Sequence, residues 1–112
     1  MKWVVAVIKP FRLDEVRDAL MTLGVEDMTV SEARGYSRHK GEPEFYRAAE
    51  YSVNFLPKIK IEIAVSDEKA DQVINTILKG AQTGEMGDGK IFVSELVRVL
   101  RVRSGDVADD IL

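Results

Sequence analysis

At 112 residues the chain is one domain; 46% of its residues are hydrophobic and 31% charged, which suits a compact fold with a single core. A net charge of −3 argues against non-specific nucleic-acid binding, which needs a basic surface. The absence of cysteine removes disulfides, thiolate zinc sites and cysteine nucleophiles.

The opening MKWVVAVIKP has an apolar run over 3–8 that is too short for a signal core or a membrane span. A cytoplasmic protein is therefore expected. The same run is rich in β-branched residues and apolar on both faces, as a central strand is, and Pro10 ends it. In LDEVRDALMTLG, Leu13, Val16, Ala19, Leu20 and Leu23 recur at three and four, which marks one face of a helix. Gly24 stands where a left-handed cap belongs. A second strand is expected from about Met28 to Tyr36.

Lys58, Lys60 and Glu62 then alternate with Ile59, Ile61, Ile63 and Val65, so this third strand has one buried and one wet face. Ser66 is placed to cap a second helix, with Asp67 and Glu68 near its positive end. That helix carries Ala70, Val73, Ile74 and Ile77 on one side and is expected to close at Gly80. After a glycine-rich stretch, IFVSELVRVLRVR reads as one long strand or two short ones. The order β-α-β, β-α-β implies an α+β, ferredoxin-like double βαβ sandwich. Helices on one face leave the other to be covered, which points to self-association.

Residues 37–55, SRHKGEPEFYRAAEYSVNF, fit no periodic element. A loop of that length inside a compact domain is usually functional or disordered, and an interaction loop is expected, against the alternative of an ordinary insertion. In QTGEMGDGKIFV, residues 82–93, three glycines precede an apolar run. A tight connection needing positive φ would explain them. So would a turn of backbone N–H groups cradling an anion, with Lys90 adding charge. The stretch is not a Walker A motif. Asp88 could help to hold a metal or could cap its own turn.

Arg101 and Arg103, at i and i+2 on an extended segment, would point to one side and invite a bidentate anion; Arg38 and Lys40 are further loop cations. Surface salt bridges are the plain alternative for Arg101 and Arg103. Catalysis is poorly served: the one imidazole, His39, lies in the long segment, and no nucleophile has a paired base. A phosphoryl-handling enzyme and a metal-linked oligomer using His39 are the competing classes.

TGEMGDGKIFV, 83–93, and YRAAEY, 46–51, resemble the two signature stretches of the PII nitrogen-regulatory signal proteins, and IKPFRLDEVRDAL and FLPKIKIEI are similar to that family as well. The resemblance spans nearly the whole chain. It implies a single PII-like domain over 1–112 that is a homotrimer and not an enzyme. ATP and ADP would compete for clefts between subunits, and 2-oxoglutarate would join with Mg²⁺ and ATP. A T-loop at about 37–55 would dock on target proteins, among them an ammonium channel or a nucleotidyltransferase. Membrane association would then arise only through a partner.

The glycine turn, 82–90, becomes the family's B-loop. Nucleotide contacts are implied at Thr29, Gly35, Arg38, Gly87, Asp88, Gly89 and Lys90, and at Arg101 and Arg103 in the C-terminal segment 99–112 reaching over from the next subunit. Lys58 matches the lysine that pairs with a 2-oxoglutarate carboxylate, and Tyr51 the nucleotidylylated tyrosine, with Tyr46 a second exposed tyrosine. His39 stands where the family usually has a glutamine that gives oxygen to Mg²⁺. Its nitrogen is a softer ligand than Mg²⁺ prefers, so a weakened, metal-shifted or lost 2-oxoglutarate response is expected. Ser37 and Ala48 replace usual glycines.

Overall fold

The computed structural model of the chain describes residues 1–36 and 55–108. Strand β1 is Lys2–Ile8, followed by a 3-10 turn at Pro10–Arg12 and helix α1, Leu13–Leu23. Strands β2, Thr29–Gly35, and β3, Leu56–Val65, come next, then helix α2, Asp67–Ala81, and strand β4, Gly89–Glu95. The four strands form one sheet in the order β2-β3-β1-β4, with every neighbouring pair antiparallel. The two βαβ units interleave, which is the expected ferredoxin-like topology.

The alternation read in β3 has a physical outcome. Ile59, Ile61, Ile63 and Val65 join Val4, Ala6 and Ile8 of β1 on the face that packs against both helices. Val16 and Leu20 of α1 meet Ala70, Val73 and Ile77 of α2 in the same core. The periodicity of three and four is what places these side chains on one stripe of each helix. Residues paired across strands share a face, so Glu62, Val5 and Phe92 lie together on the other side of the sheet. Trp3, Val5 and Val7 are half-buried there, and Phe92 is 54% exposed.

Helix α1 closes as expected, with Gly24 left-handed at φ 107° and its N–H bonded to the Leu20 and Met21 carbonyls. Helix α2 departs from expectation at both ends. Ser66 holds the N-cap position in extended conformation, but its side chain makes no capping hydrogen bond. At the other end, Gly80 does not close the helix, which continues to Ala81 with Gln82 as an extended C-cap. Gly80 is instead buried against α1: a Cβ there would stand 2.8 Å from Val16 Cγ2. The residue is glycine because two helices approach closely, not because the chain must turn left-handed.

The C-terminal apolar run is also shorter as a strand than the sequence suggests. β4 ends at Glu95, and the following chain turns back on itself. Leu100 bridges Val107, Arg101 N–H bonds the Asp106 carbonyl at 2.9 Å, and Gly105 N–H bonds the Arg101 carbonyl at 2.7 Å. Arg101 and Arg103 thus stand on a turn closed by main-chain bonds, and the strand alternation that would have put them on one side does not operate.

Candidate functional site

The site grows from the point where three strands meet. Ile8 pairs with Ile59 on one side and with Gly89 on the other, so Lys58, Lys9 and Asp88 follow one another at that end of the sheet. Gly89 starts β4 at φ 118°, and an added Cβ would stand 1.8 Å from the Val7 carbonyl oxygen. Only glycine allows the chain to enter the sheet this close to β1. Gly84 and Gly87 also have positive φ, at 84° and 83°.

The turn before β4 is folded around the Asp88 carboxylate. Oδ2 accepts the N–H groups of Thr83 at 2.8 Å and Gly84 at 3.0 Å. Oδ1 accepts the Thr83 hydroxyl and lies 3.2 Å from Lys9 Nζ. Partial burial alone would raise the Asp88 carboxyl; the bonds from Thr83, Lys9 and Gly84 outweigh it and hold the group well below the ordinary carboxylate value. The sequence left Asp88 between metal ligand and turn cap, and the structure gives it the second role. Among the described residues no three His, Asp or Glu side chains gather as a metal site.

Lys58 holds the other half of the turn. Its Nζ donates to the Gly87 carbonyl at 2.6 Å, and its stem runs beside Gly35, where an added Cβ would meet Lys58 Cγ at 3.1 Å. Burial first, then the charge of Lys9, lowers the Lys58 ammonium from its ordinary value, and Asp88 offsets part of this. A cation disfavoured by its neighbours gains when an anion arrives. Lys90 follows on β4, opposite Val7 and exposed.

Of the residues singled out from the sequence, the fold therefore gathers Gly35, Lys58, Gly87, Asp88, Gly89 and Lys90 at one end of the sheet. Thr29 pairs with Glu62, four residues along β3 from Lys58 and roughly 13 Å away at the usual strand rise. Arg101 and Arg103 sit exposed on the C-terminal turn. Arg38, His39, Tyr46 and Tyr51 lie outside the described residues. Two residues that the sequence reading passed over, Lys9 and Thr83, turn out to hold the turn together. The pairing of Ile8 with Gly89 is the signal that would have brought Lys9 to Asp88, but it exists only once the register is known.

Residues 1–106 match the family model for nitrogen regulatory protein P-II. The chain is 55% identical over 106 residues to nitrogen regulatory protein GlnK of Escherichia coli K12, covering 95% of each. It is 54% identical over 110 residues to nitrogen regulatory protein P-II of Pasteurella multocida, covering 98% of each. Among solved structures, Arabidopsis thaliana PII bound to citrate superposes with a TM-score of 0.78 at 37% identity, over 98% of this chain and 87% of that one. The chain belongs to the nitrogen regulatory P-II family, signal-transducing regulators rather than enzymes.

Proposed function

We propose that the chain is a homotrimeric sensor of ATP and ADP that reports on nitrogen status through its T-loop. The observation that carries this reading is a glycine turn with three positive-φ positions into which Lys58 donates and from which Lys90 follows on β4. Such a turn suits a phosphate chain: glycine lets the backbone come close, and the ammonium groups supply charge. Gly87, Gly89 and Lys90 would hold the phosphates. Gly35 and Thr29 would lie along the rest of the nucleotide, and the separation between Thr29 and Lys58 suits an extended ligand. Arg38 of the same chain and Arg101 and Arg103 of a neighbouring subunit would complete the cleft.

The second ligand would be 2-oxoglutarate, with Lys58 as its carboxylate partner and Mg²⁺ supplying positive charge beside ATP. His39 would be the metal ligand from the T-loop and the residue in which this chain departs from its family's glutamine. Bound nucleotide would shift the T-loop between conformers, and only ligands that contact those conformers differently would shift them. The loop would dock on target proteins such as an ammonium channel, with a nucleotidyltransferase acting on Tyr51. That partnership would be cytoplasmic and reach a membrane only through the target.

Calorimetry tests both ligands. Purified protein should bind ATP and ADP in competition, and 2-oxoglutarate should follow at fixed Mg²⁺ more weakly than in the His39→Gln variant. Absence of any ATP isotherm refutes the sensor reading. A 2-oxoglutarate isotherm identical in the two proteins refutes the role given to His39.

A further inference from the structure

The glycine turn already contains an anion of its own. The Asp88 carboxylate takes the Thr83 and Gly84 N–H groups and the Thr83 hydroxyl, and the Lys9 ammonium closes the set. Both oxygens are fully engaged, and both side chains are largely enclosed, at 18% exposure for Lys9 and 22% for Asp88. Lys9 Nζ also reaches the Thr83 hydroxyl oxygen, 3.4 Å away, and that oxygen accepts the Glu85 N–H at 3.3 Å. One end of the turn is thus tied through a carboxylate to the end of β1, and the other through Lys58 to β3.

We propose that Lys9 and Asp88 are a built-in ion pair that shapes the phosphate site without contacting the ligand. Asp88 fills the Thr83–Gly84 half of the turn with the chain's own negative charge, so a phosphate is received only by the Gly87–Lys90 half. Lys9 neutralises that carboxylate. Without Lys9, an uncompensated carboxylate would face the incoming phosphates and repel them. The inference rests on the nucleotide reading above and adds two positioning residues to it, Lys9 and Thr83, while taking the Asp88 side chain out of the set of ligand contacts.

A double-mutant cycle separates this from simple structural support. If the pair acts as proposed, Lys9→Met weakens ATP binding tenfold or more in calorimetry. Adding Asp88→Asn to it removes the stranded charge and brings affinity back to within about threefold of the wild type, whereas two residues that acted on the site independently would weaken binding further together. The Asn carbonyl can still accept the Thr83 and Gly84 N–H groups, so the turn keeps its bonds. The proposal is overturned if the double variant binds ATP no better than Lys9→Met, or if Lys9→Met binds like the wild type. Wild-type protein that takes up no ATP refutes the nucleotide reading instead. Wild type, Lys9→Met, Asp88→Asn and the double variant then test the pair by urea unfolding, where additive effects of the two substitutions overturn it.

Discussion

Two residues shape the turn, and they respond to different changes. Gly89 combines φ 118° with a carbonyl oxygen where its Cβ would be. Gly89→Ala therefore meets both backbone strain, of order 1–3 kcal/mol, and a clash with main chain that no rotamer relieves. We expect a loss of 3 kcal/mol or more in urea unfolding on those grounds, and a smaller loss would mean that β4 enters the sheet with room to spare. Asp88 fails by protonation. Its carboxyl is held below the ordinary 3.8 in the folded chain. A depressed acid contributes stability that is complete above its unfolded value and disappears as pH falls through the folded one. The urea midpoint should thus fall as pH drops below about 5, and Asp88→Asn should flatten that descent. An equal slope in both proteins would place the acid-sensitive carboxylates elsewhere.

At the scale of elements, the helix pair turns on a glycine whose purpose the sequence disguises. Helix α2 would gain about 1 kcal/mol of propensity from Gly80→Ala. The new methyl would, however, enter the space of Val16 at 2.8 Å, and overpacking of this kind costs typically 1–3 kcal/mol. Net destabilisation is expected, with Gly80→Ala/Val16→Ala losing less than the sum of the two single changes because the clashing methyl is gone; a stabilised single variant would show that α1 yields freely. Arg12 reinforces the same junction, its Nε–H bonded to the Gly80 carbonyl at 2.7 Å in the last turn of α2. Much of the architecture was legible because periodicity reports burial directly: the isoleucines of β3 and the leucines of α1 lie on the faces their spacing implies. A glycine reports only that a side chain is forbidden. It does not say whether φ or a neighbour forbids it, which is why Gly24 was read rightly as a cap and Gly80 wrongly. The C-terminal run misled for a related reason: alternating apolar residues look like a strand whether or not a partner strand exists. For the candidate site, cation and glycine content drew attention to this turn, whereas the tie from Lys9 to Thr83 spans 74 positions and follows from register alone.

For the whole molecule the open sheet face is the decisive surface. Both helices cover the opposite side, yet Trp3, Val5, Val7 and Ala64 lie on this one with Phe92 beside them. An apolar strip through the middle of a sheet is a feature that soluble monomers rarely leave uncovered. A second and third copy of the chain would cover it and would bring Arg101 and Arg103 toward a neighbour's glycine turn. Val5→Lys tests this with little damage to the subunit, because position 5 pairs with Glu62 across β1 and β3, and a lysine there gains an opposite charge. In a separated subunit the new ammonium stays hydrated. Inside an assembly it must be desolvated in every copy, at a cost of several kcal/mol each. Light scattering should then give the trimer mass for the wild type and the mass of one chain for Val5→Lys. Because the phosphate site would be shared, the separated subunit should also lose most of its ATP affinity. A variant that is monomeric and still binds ATP as the wild type does would confine the nucleotide to one chain and leave the C-terminal arginines without a part in it.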